Sequence, residues 1–259
     1  MVIRGLLTDE EWAFFAPFVI ESGARGGRPP VDHRRVLDAI FWITRTGAPW
    51  RDLPDALGNW NSVHRQFRRW TASGLWDAML DALSAGGGDA ALQMIDSTIV
   101  RAHHCAAGAR GGTQNQALGR SRGGFSTKIH LRTNAQGLPV AVLLTPGEAH
   151  DSTVYSDLMA AHDCDPDVLL ADRGYDSDAI RDDVRIRGGM PEIPTKKNRR
   201  VQHSVNRALY ALRNRIERFI NRLKNSRRIA TRYDHTANSF VGFVLLAAIR
   251  HWIKFVHAA

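Results

Sequence analysis

The segment Met94-Ile95-Asp96-Ser97-Thr98-Ile99-Val100 constrains this chain more than any other. It reads as a buried strand, yet an aspartate interrupts it. A carboxylate there is costly to bury unless a cation or hydrogen bonds compensate it. The chain must therefore run a strand through its core and open a polar site against the middle of that strand. A second aspartate, Asp172, ends the apolar run Val168-Leu169-Leu170-Ala171 and leads at once into the turn-like Arg173-Gly174-Tyr175. In sheets containing parallel strands, ligand sites tend to lie off the carboxyl ends of strands, where Asp172 would sit.

A third acid, Glu217, lies in a long helical segment rich in arginine. At about 100 degrees per residue, Leu209, Leu212, Ile216, Phe219, Ile220 and Leu223 share one arc of roughly 100 degrees. Tyr210, Arg213, Glu217 and Lys224 occupy a separate arc of roughly 60 degrees beside it, and Arg207, Arg215, Arg218 and Arg222 take the far side. A merely solvated face would scatter acids among these arginines for i,i+4 pairing. One glutamate at the edge of the core stripe reads instead as a site residue. Taken singly, Asp96 could cap a turn, Asp172 could end a strand and Glu217 could pair with Arg213. Taken together, three convergent acids in a basic protein point to divalent metal held against a phosphate backbone.

Charge supports a polyanion partner. The chain has 35 Lys+Arg against 26 Asp+Glu, a formal net charge of +9. Between Pro191 and His235, three lysines and ten arginines face only Glu192, Glu217 and Asp234, so this segment alone carries a net +10. Such a concentration fits nucleic acid better than general solubility. Cys105 and Cys164 form no CxxC pair and suggest no disulfide framework, which favours a reducing cytoplasm. The start, Met1-Val2-Ile3-Arg4-Gly5, lacks the apolar core of a secretory signal. Phe240 to Ile249 is apolar but ends at Arg250-His251, too short for the roughly 20 residues of a membrane span, and reads as a core helix.

The first 85 residues read as helical. Thr8 and Glu11 have capping-box spacing before Trp12, Phe14 and Phe15. Ala24 to Pro30 is a basic loop, followed by a helix from about Asp32 to Thr44, a proline-broken turn at Gly47 to Pro54, and a helix from about Asn61 to Thr71. On that last helix Val63, Phe67 and Trp70 fall on one side and His64, Arg65, Arg68 and Arg69 on the other. This is compatible with a helix-turn-helix DNA reader, and also with a surface helix whose charged face is solvated. Gly86-Gly87-Gly88 marks a boundary, with a helical DNA-binding domain over 1–85 and an α/β domain over 90–259. The second half reads as the Asp96 strand, a Gly- and Arg-rich loop, and a hairpin over Lys128–Thr133 and Leu138–Leu144 with Ile129 and Leu131 inward. A helix after Asp151-Ser152 follows, then the Asp172 strand, a helix opened by Asp176, a short strand near Met190–Thr195 and the long Glu217 helix. Asp151 reads as a helix cap. His103-His104-Cys105 lacks the spaced partner pair of a zinc site, and Gly123 to Lys128 is no Walker loop, so ATP dependence is excluded.

The spacing Tyr210-x2-Arg213-x3-Glu217-x6-Lys224, with Ile95-Asp96-Ser97-Thr98 and Ala171-Asp172-Arg173-Gly174-Tyr175-Asp176, resembles bacterial insertion-sequence transposases of the DDE type, in insertion sequence family five beside family four. The likeness extends to Trp50-Arg51-Asp52-Leu53-Pro54 and to Gly124 through His130, nearly the whole chain. It implies a ribonuclease H-like mixed sheet flanked by helices, with Asp96 on the first strand, Asp172 on the fourth and Glu217 on the last catalytic helix. It also implies two Mg2+ ions about 3.5–4 Å apart, replaceable by Mn2+, on these three carboxylates. Tyr210, Arg213 and Lys224 would then hold phosphates, and Arg173, Lys196, Lys197, His64, Arg65, Arg68 and Arg69 would add DNA contacts. The implied partners are double-stranded DNA, as transposon ends and target, and a second copy of the chain. The place of action would be the bacterial cytoplasm, at the nucleoid when bound. A non-catalytic DNA-binding protein and a structure-specific nuclease with the same core stay open as alternatives.

Overall fold

Reciprocal hydrogen bonds between Thr8 and Glu11, 3.1 and 3.2 Å long, start the first helix as the capping-box spacing expects. The computed structural model describes residues 4–19, 32–86, 91–109, 112–121 and 123–257. The basic loop at 24–30 and most of the triglycine boundary lie outside them. Four helices come first: α1 (Asp9–Val19), α2 (His33–Thr46), α3 (Trp60–Ala72) and α4 (Leu75–Gly86). The chain continues through β1 (Leu92–Ala102), α5 (Gly112–Asn115), β2 (Gly119–Ser121), β3 (Gly124–Thr133) and β4 (Pro139–Pro146). Next come α6 (Tyr155–Ala160), β5 (Val168–Leu170), α7 (Asp178–Ile186) and β6 (Met190–Glu192). Then follow α8 (Arg207–Ala211), α9 (Asn214–Lys224), α10 (Arg227–Ala230), β7 (Thr231–Arg232) and α11 (Ala237–Val256).

The strands form one mixed sheet in the order β2-β3-β1-β5-β6, with β4 also on β3 and β7 also on β1. β3 is antiparallel to β1 and β4, whereas β5 and β7 run parallel to β1. On one edge of β1, β5 pairs only with Leu92–Met94 and β7 only with Arg101–Ala102. Asp96 therefore lies in the stretch where the two parallel neighbours have parted. That splay leaves the edge of β1 beside Asp96 without a parallel strand partner.

The two faces have different cores. Met94, Val100, Ile129 and Leu131 pack with Ile216, Phe219 and Leu223 of α9 and with α11, and the same apolar cluster extends into α1–α4. Ile95, Leu169 and Ala171 pack on the other face with Tyr155, Tyr175, Ile180 and Val184. Residues alternate faces along a strand, so Asp96 points with Met94 toward α9 and Ser97 points with Ile95 toward α6. The apolar run expected to be a core helix is α11, buried from Phe243 to Ile249. Gly242 admits the N-terminal helices: a Cβ there would lie 2.8 Å from Thr71 Oγ1 and 3.2 Å from the Phe67 ring.

Three local expectations need correction. β3 is buried on both faces, since Lys128, His130 and Arg132 are as enclosed as Ile129 and Leu131. Partners inside take most of their polar ends: Asp151 for Lys128, Thr145 for His130 Nε2, and the carbonyls of Leu158, Met159 and His162 for Arg132, while His130 Nδ1 has no partner among the described residues. Asp176 does not open a helix. α7 begins at Asp178 after Ser177, and Asp176 is buried against Arg181 and Arg199. The long helix is broken: Leu212, Arg213, Arg215 and Ile216 each donate to the carbonyl three residues back, so 3-10 bonds separate α8 from α9.

Candidate active site

Arg213 is the hub. From the break between α8 and α9 its guanidinium donates to Asp96 Oδ2 at 2.7 Å, across 117 residues of sequence, and also to Glu217 Oε1 one turn on. Asp96, Glu217 and Asp172 all act on it electrostatically and keep it charged despite its burial, with Tyr210 also adding to that shift. The Tyr210 ring lies 5.7 Å from the guanidinium carbon. Lys224, on the same stripe, donates to the Ile99 carbonyl of β1 at 3.3 Å, on the strand that carries Asp96. The polar stripe of the helical segment thus faces the splayed part of β1.

Asp172 follows β5 and caps the 3-10 turn Arg173–Tyr175, its Oδ1 accepting the Gly174 N–H at 2.7 Å. Asp96 accepts the Ser97 N–H at 2.8 Å. Burial, with the neighbouring charge of Asp172, pushes the Asp96 carboxyl up to about 6, against the pull of Arg213 and the Ser97 N–H. The two aspartates are therefore close enough to feel one another, while Glu217, about half exposed at 47%, joins them through Arg213. Direct convergence of the three acids is not what the structure holds. Among the described residues, no three His, Cys, Asp or Glu side chains gather closely enough to hold a metal ion. A guanidinium stands where the carboxylates need positive charge.

Two residues to which the sequence assigns no place in the site lie beside it. Asp151 is not a helix cap. On the α6 face of the sheet its carboxylate accepts Ser97 Oγ at 2.6 Å and Lys128 Nζ at 2.9 Å. Burial would raise its pKa, but those two partners hold it below the ordinary carboxylate range. Tyr175 is fully buried, and its hydroxyl has no hydrogen-bond partner among the described residues. Burial first, and then Asp151, Asp96 and Asp172, raise its pKa, so it stays a protonated donor beside three carboxylates. Carboxylate and hydroxyl oxygens are the donor type a hard divalent cation takes, and Arg213 would have to leave before Asp96 and Glu217 could offer theirs. Ser97 next to Asp96 was the available signal for Asp151; nothing in sequence spacing marks Tyr175 as unpartnered.

Gly174 lets the two faces meet. A Cβ there would sit 2.8 Å from both Asp151 Oδ2 and Asp172 Oδ1. Gly174→Ala is expected to displace these carboxylates and slow the reaction by about 10²-fold, the scale of a small misplacement of reacting groups. Single-turnover rates and thermal melting separate this from unfolding, because the melting temperature should change little.

The remaining expected contacts lie elsewhere. Arg65, Arg68 and Arg69 are exposed on α3, whereas His64 is half-buried against Trp50, ring centroids 4.8 Å apart. Burial, with Arg68 nearby, lowers the His64 pKa, so it sits there neutral. Arg173, Lys196 and Lys197 are exposed, the last two beyond β6. Among the described residues, no hydrogen bond or ion pair joins the α3 cations to Asp96, Asp172 or Glu217.

Comparison with known proteins decides the family. Residues 88–252, well over half of the chain, match the family described as "Transposase DDE domain". The chain belongs to the DDE transposases. Residues 7–80 match "Putative transposase of IS4/5 family (DUF4096)", in keeping with the resemblance to families four and five. The transposase is 47% identical over 105 residues to "Uncharacterized protein y4sN" of Sinorhizobium fredii, covering 40% of this chain and 82% of that protein. It is 34% identical over 136 residues to "Putative transposase for insertion sequence element IS6501" of Brucella ovis, covering 50% of this chain and 100% of that protein. Among solved structures, the piggyBac transposase synaptic complex with hairpin DNA aligns at a TM-score of 0.52 and 9% identity, over 94% of this chain and 70% of that one. That last likeness is one of fold, the ribonuclease H-like sheet with flanking helices.

Proposed function

We propose that this transposase binds the terminal inverted repeats of an insertion sequence and catalyses metal-dependent strand cleavage there, then joins the freed 3′-OH to target DNA. The observation carrying this reading is the tie of Asp96, at the splay of the sheet, to Glu217 of α9 through one guanidinium, with Asp172 ending the neighbouring strand β5. In this reading Asp96, Asp172 and Glu217 hold two Mg2+ ions, or Mn2+ in their place, after Arg213 has released them. The bound metal supplies the positive charge that activates an attacking hydroxyl and stabilises the leaving oxygen.

The chain's own residues supply the rest. Arg213 leaves the carboxylates for a backbone phosphate, which a guanidinium binds bidentately. Tyr210 and Lys224 flank that phosphate, and Arg173, Lys196 and Lys197 hold the DNA approaching the turn after β5. Tyr175, buried and protonated, ends the turn that Asp172 caps. Residues 1–85 act as the DNA-binding domain, helix-turn-helix-like in use, with Arg65, Arg68 and Arg69 on phosphates and neutral His64 as a hydrogen-bonding contact. Residues 90–259 form the catalytic domain. Two copies work together because two transposon ends must be paired, and the reaction takes place in the cytoplasm at the nucleoid.

The test is cleavage of a labelled duplex carrying the terminal repeat, with Mg2+, Mn2+ or chelator, beside the Asp172→Asn protein. We expect cutting with either metal and none with chelator or the variant. Binding without cutting in any metal would favour a DNA-binding protein without catalysis.

A further inference from the structure

A second concentration of positive charge lies on the opposite side of α9 from the catalytic stripe. Arg215, Arg218 and Arg222 leave the helix roughly 100–160 degrees around its axis from Glu217. With Arg45 of α2 and His251 and Lys254 of α11, they line two cavities of about 240 and 480 Å3. Arg222, His251 and Lys254 border both, so the two make one continuous groove. No acid lines either half. Arg45, Arg218, Arg222 and Lys254 are exposed and, among the described residues, form no ion pair, unlike Arg250 at the groove's edge, which is tied to Glu11. His251 lies in the groove with its ring edge-on to Phe219, 5.5 Å between centroids. Burial, with Lys254, Arg222 and Arg250 around it, lowers its pKa to about 4, so it stays neutral and adds a hydrogen-bonding edge rather than charge.

Clustered cations with no acid among them repel one another and create a strong local field for anions. A single phosphate would engage two or three of them. The groove offers more, strung out along a line: Arg215 to Arg222 spans about 10 Å of α9, longer than a single phosphate needs. We propose that this groove binds the phosphate backbone of a second DNA duplex while a first duplex occupies the Asp96–Asp172–Glu217 cluster. The proposal rests on the transposase reading for the nature of the first duplex, and it assigns the second one a place on the chain.

The test uses the full chain carrying Asp96→Asn, so that binding is read without chemistry. It is first saturated with unlabelled terminal-repeat duplex, then titrated with a labelled duplex of unrelated sequence over a range of salt. We expect the second duplex to bind, and Arg218→Gln/Arg222→Gln/Lys254→Gln to weaken it at least tenfold. The slope of log affinity against log salt should fall by as much as about 2.7, some 0.9 per lost phosphate contact. Affinity for the first duplex and the melting temperature should hold. Failure of the parent to take up a second duplex, an unchanged slope in the variant, or equal loss of both duplexes would overturn the proposal. So would occupancy of the groove by inorganic phosphate with no second duplex bound. Absence of cleavage by the wild-type chain would sink the proposed function and leave this binding result standing.

Discussion

Asp96→Asn is expected to lower strand cleavage by about 10³-fold or more while changing affinity for terminal-repeat DNA less than about threefold. The substitution keeps the shape of the side chain and removes one anionic oxygen from the middle of β1. Every basic group assigned to DNA is left in place, so binding has no reason to fail. Stability should not mask the effect. Burial and Asp172 push the Asp96 carboxyl up to about 6, so holding it ionised at neutral pH opposes folding, and that cost grows as pH rises from the ordinary aspartate range through 6. The amide carries no such cost. Arg213 would keep Glu217 as its remaining partner. Fluorescence anisotropy and a gel cleavage assay on one preparation separate the two quantities. Equal loss of binding and cutting would mean that Asp96 supports the fold rather than the chemistry.

Asp176→Asn should have the largest effect on stability. Its side chain is fully buried; it accepts Arg181 Nη2 at 2.9 Å, Arg199 Nη1 at 2.7 Å and the Lys196 N–H at 2.8 Å. Burial alone would raise its pKa, but the Lys196 N–H, Arg181 and Arg199 hold it at about 2. Removing the anion strands the Arg181 guanidinium, itself buried, with only the Ile193 carbonyl and a neutral amide. Breaking a buried pair from one side costs about 3–5 kcal/mol, or about 10 °C in melting temperature for a chain of this size. The sign with pH follows from the depressed pKa. The carboxylate's contribution is fully present above about 4, the unfolded value, and is lost as pH falls through about 2. Wild type and variant should therefore differ by a constant amount from pH 7 to about 4 and converge below it. Urea unfolding at several pH values reads this. A difference under about 1 kcal/mol would show that the network is incidental.

Period and punctuation made much of the fold legible in advance. Apolar runs located β1 and β5, the capping box located α1, and the amphipathic arcs of 209–224 oriented α9 correctly against the sheet. What escaped was set by contacts distant in sequence. The helix break at Leu212–Arg213 accompanies the tie from Arg213 to Asp96, and no proline or glycine announces it. Lys128, His130 and Arg132 looked like the wet face of β3 because alternation cannot reveal that α6 and the turn at 151–154 cover them. Asp151 and Asp176 look local in sequence because helical turns begin at the first and two residues after the second. Their partners, Ser97 with Lys128 and Arg181 with Arg199, come from tertiary packing. The three candidate acids stand out in sequence because each breaks an otherwise uniform segment. The tie that Arg213 makes between Glu217 and Asp96 is legible there only as an i,i+4 pairing with Glu217, never as a reach across to β1.

Joining is the step that separates a transposase from a nuclease with the same core. Purified protein would be incubated in Mg2+ with a short duplex that ends in the exposed 3′-OH of the terminal repeat and with a supercoiled target plasmid, beside Glu217→Gln. We expect covalent joining of the duplex to both plasmid strands, recovered by sequencing across the junctions, and no joined product from the variant. Efficient cutting of terminal-repeat DNA with no junctions in any divalent metal would contradict strand transfer at the Asp96–Asp172–Glu217 site.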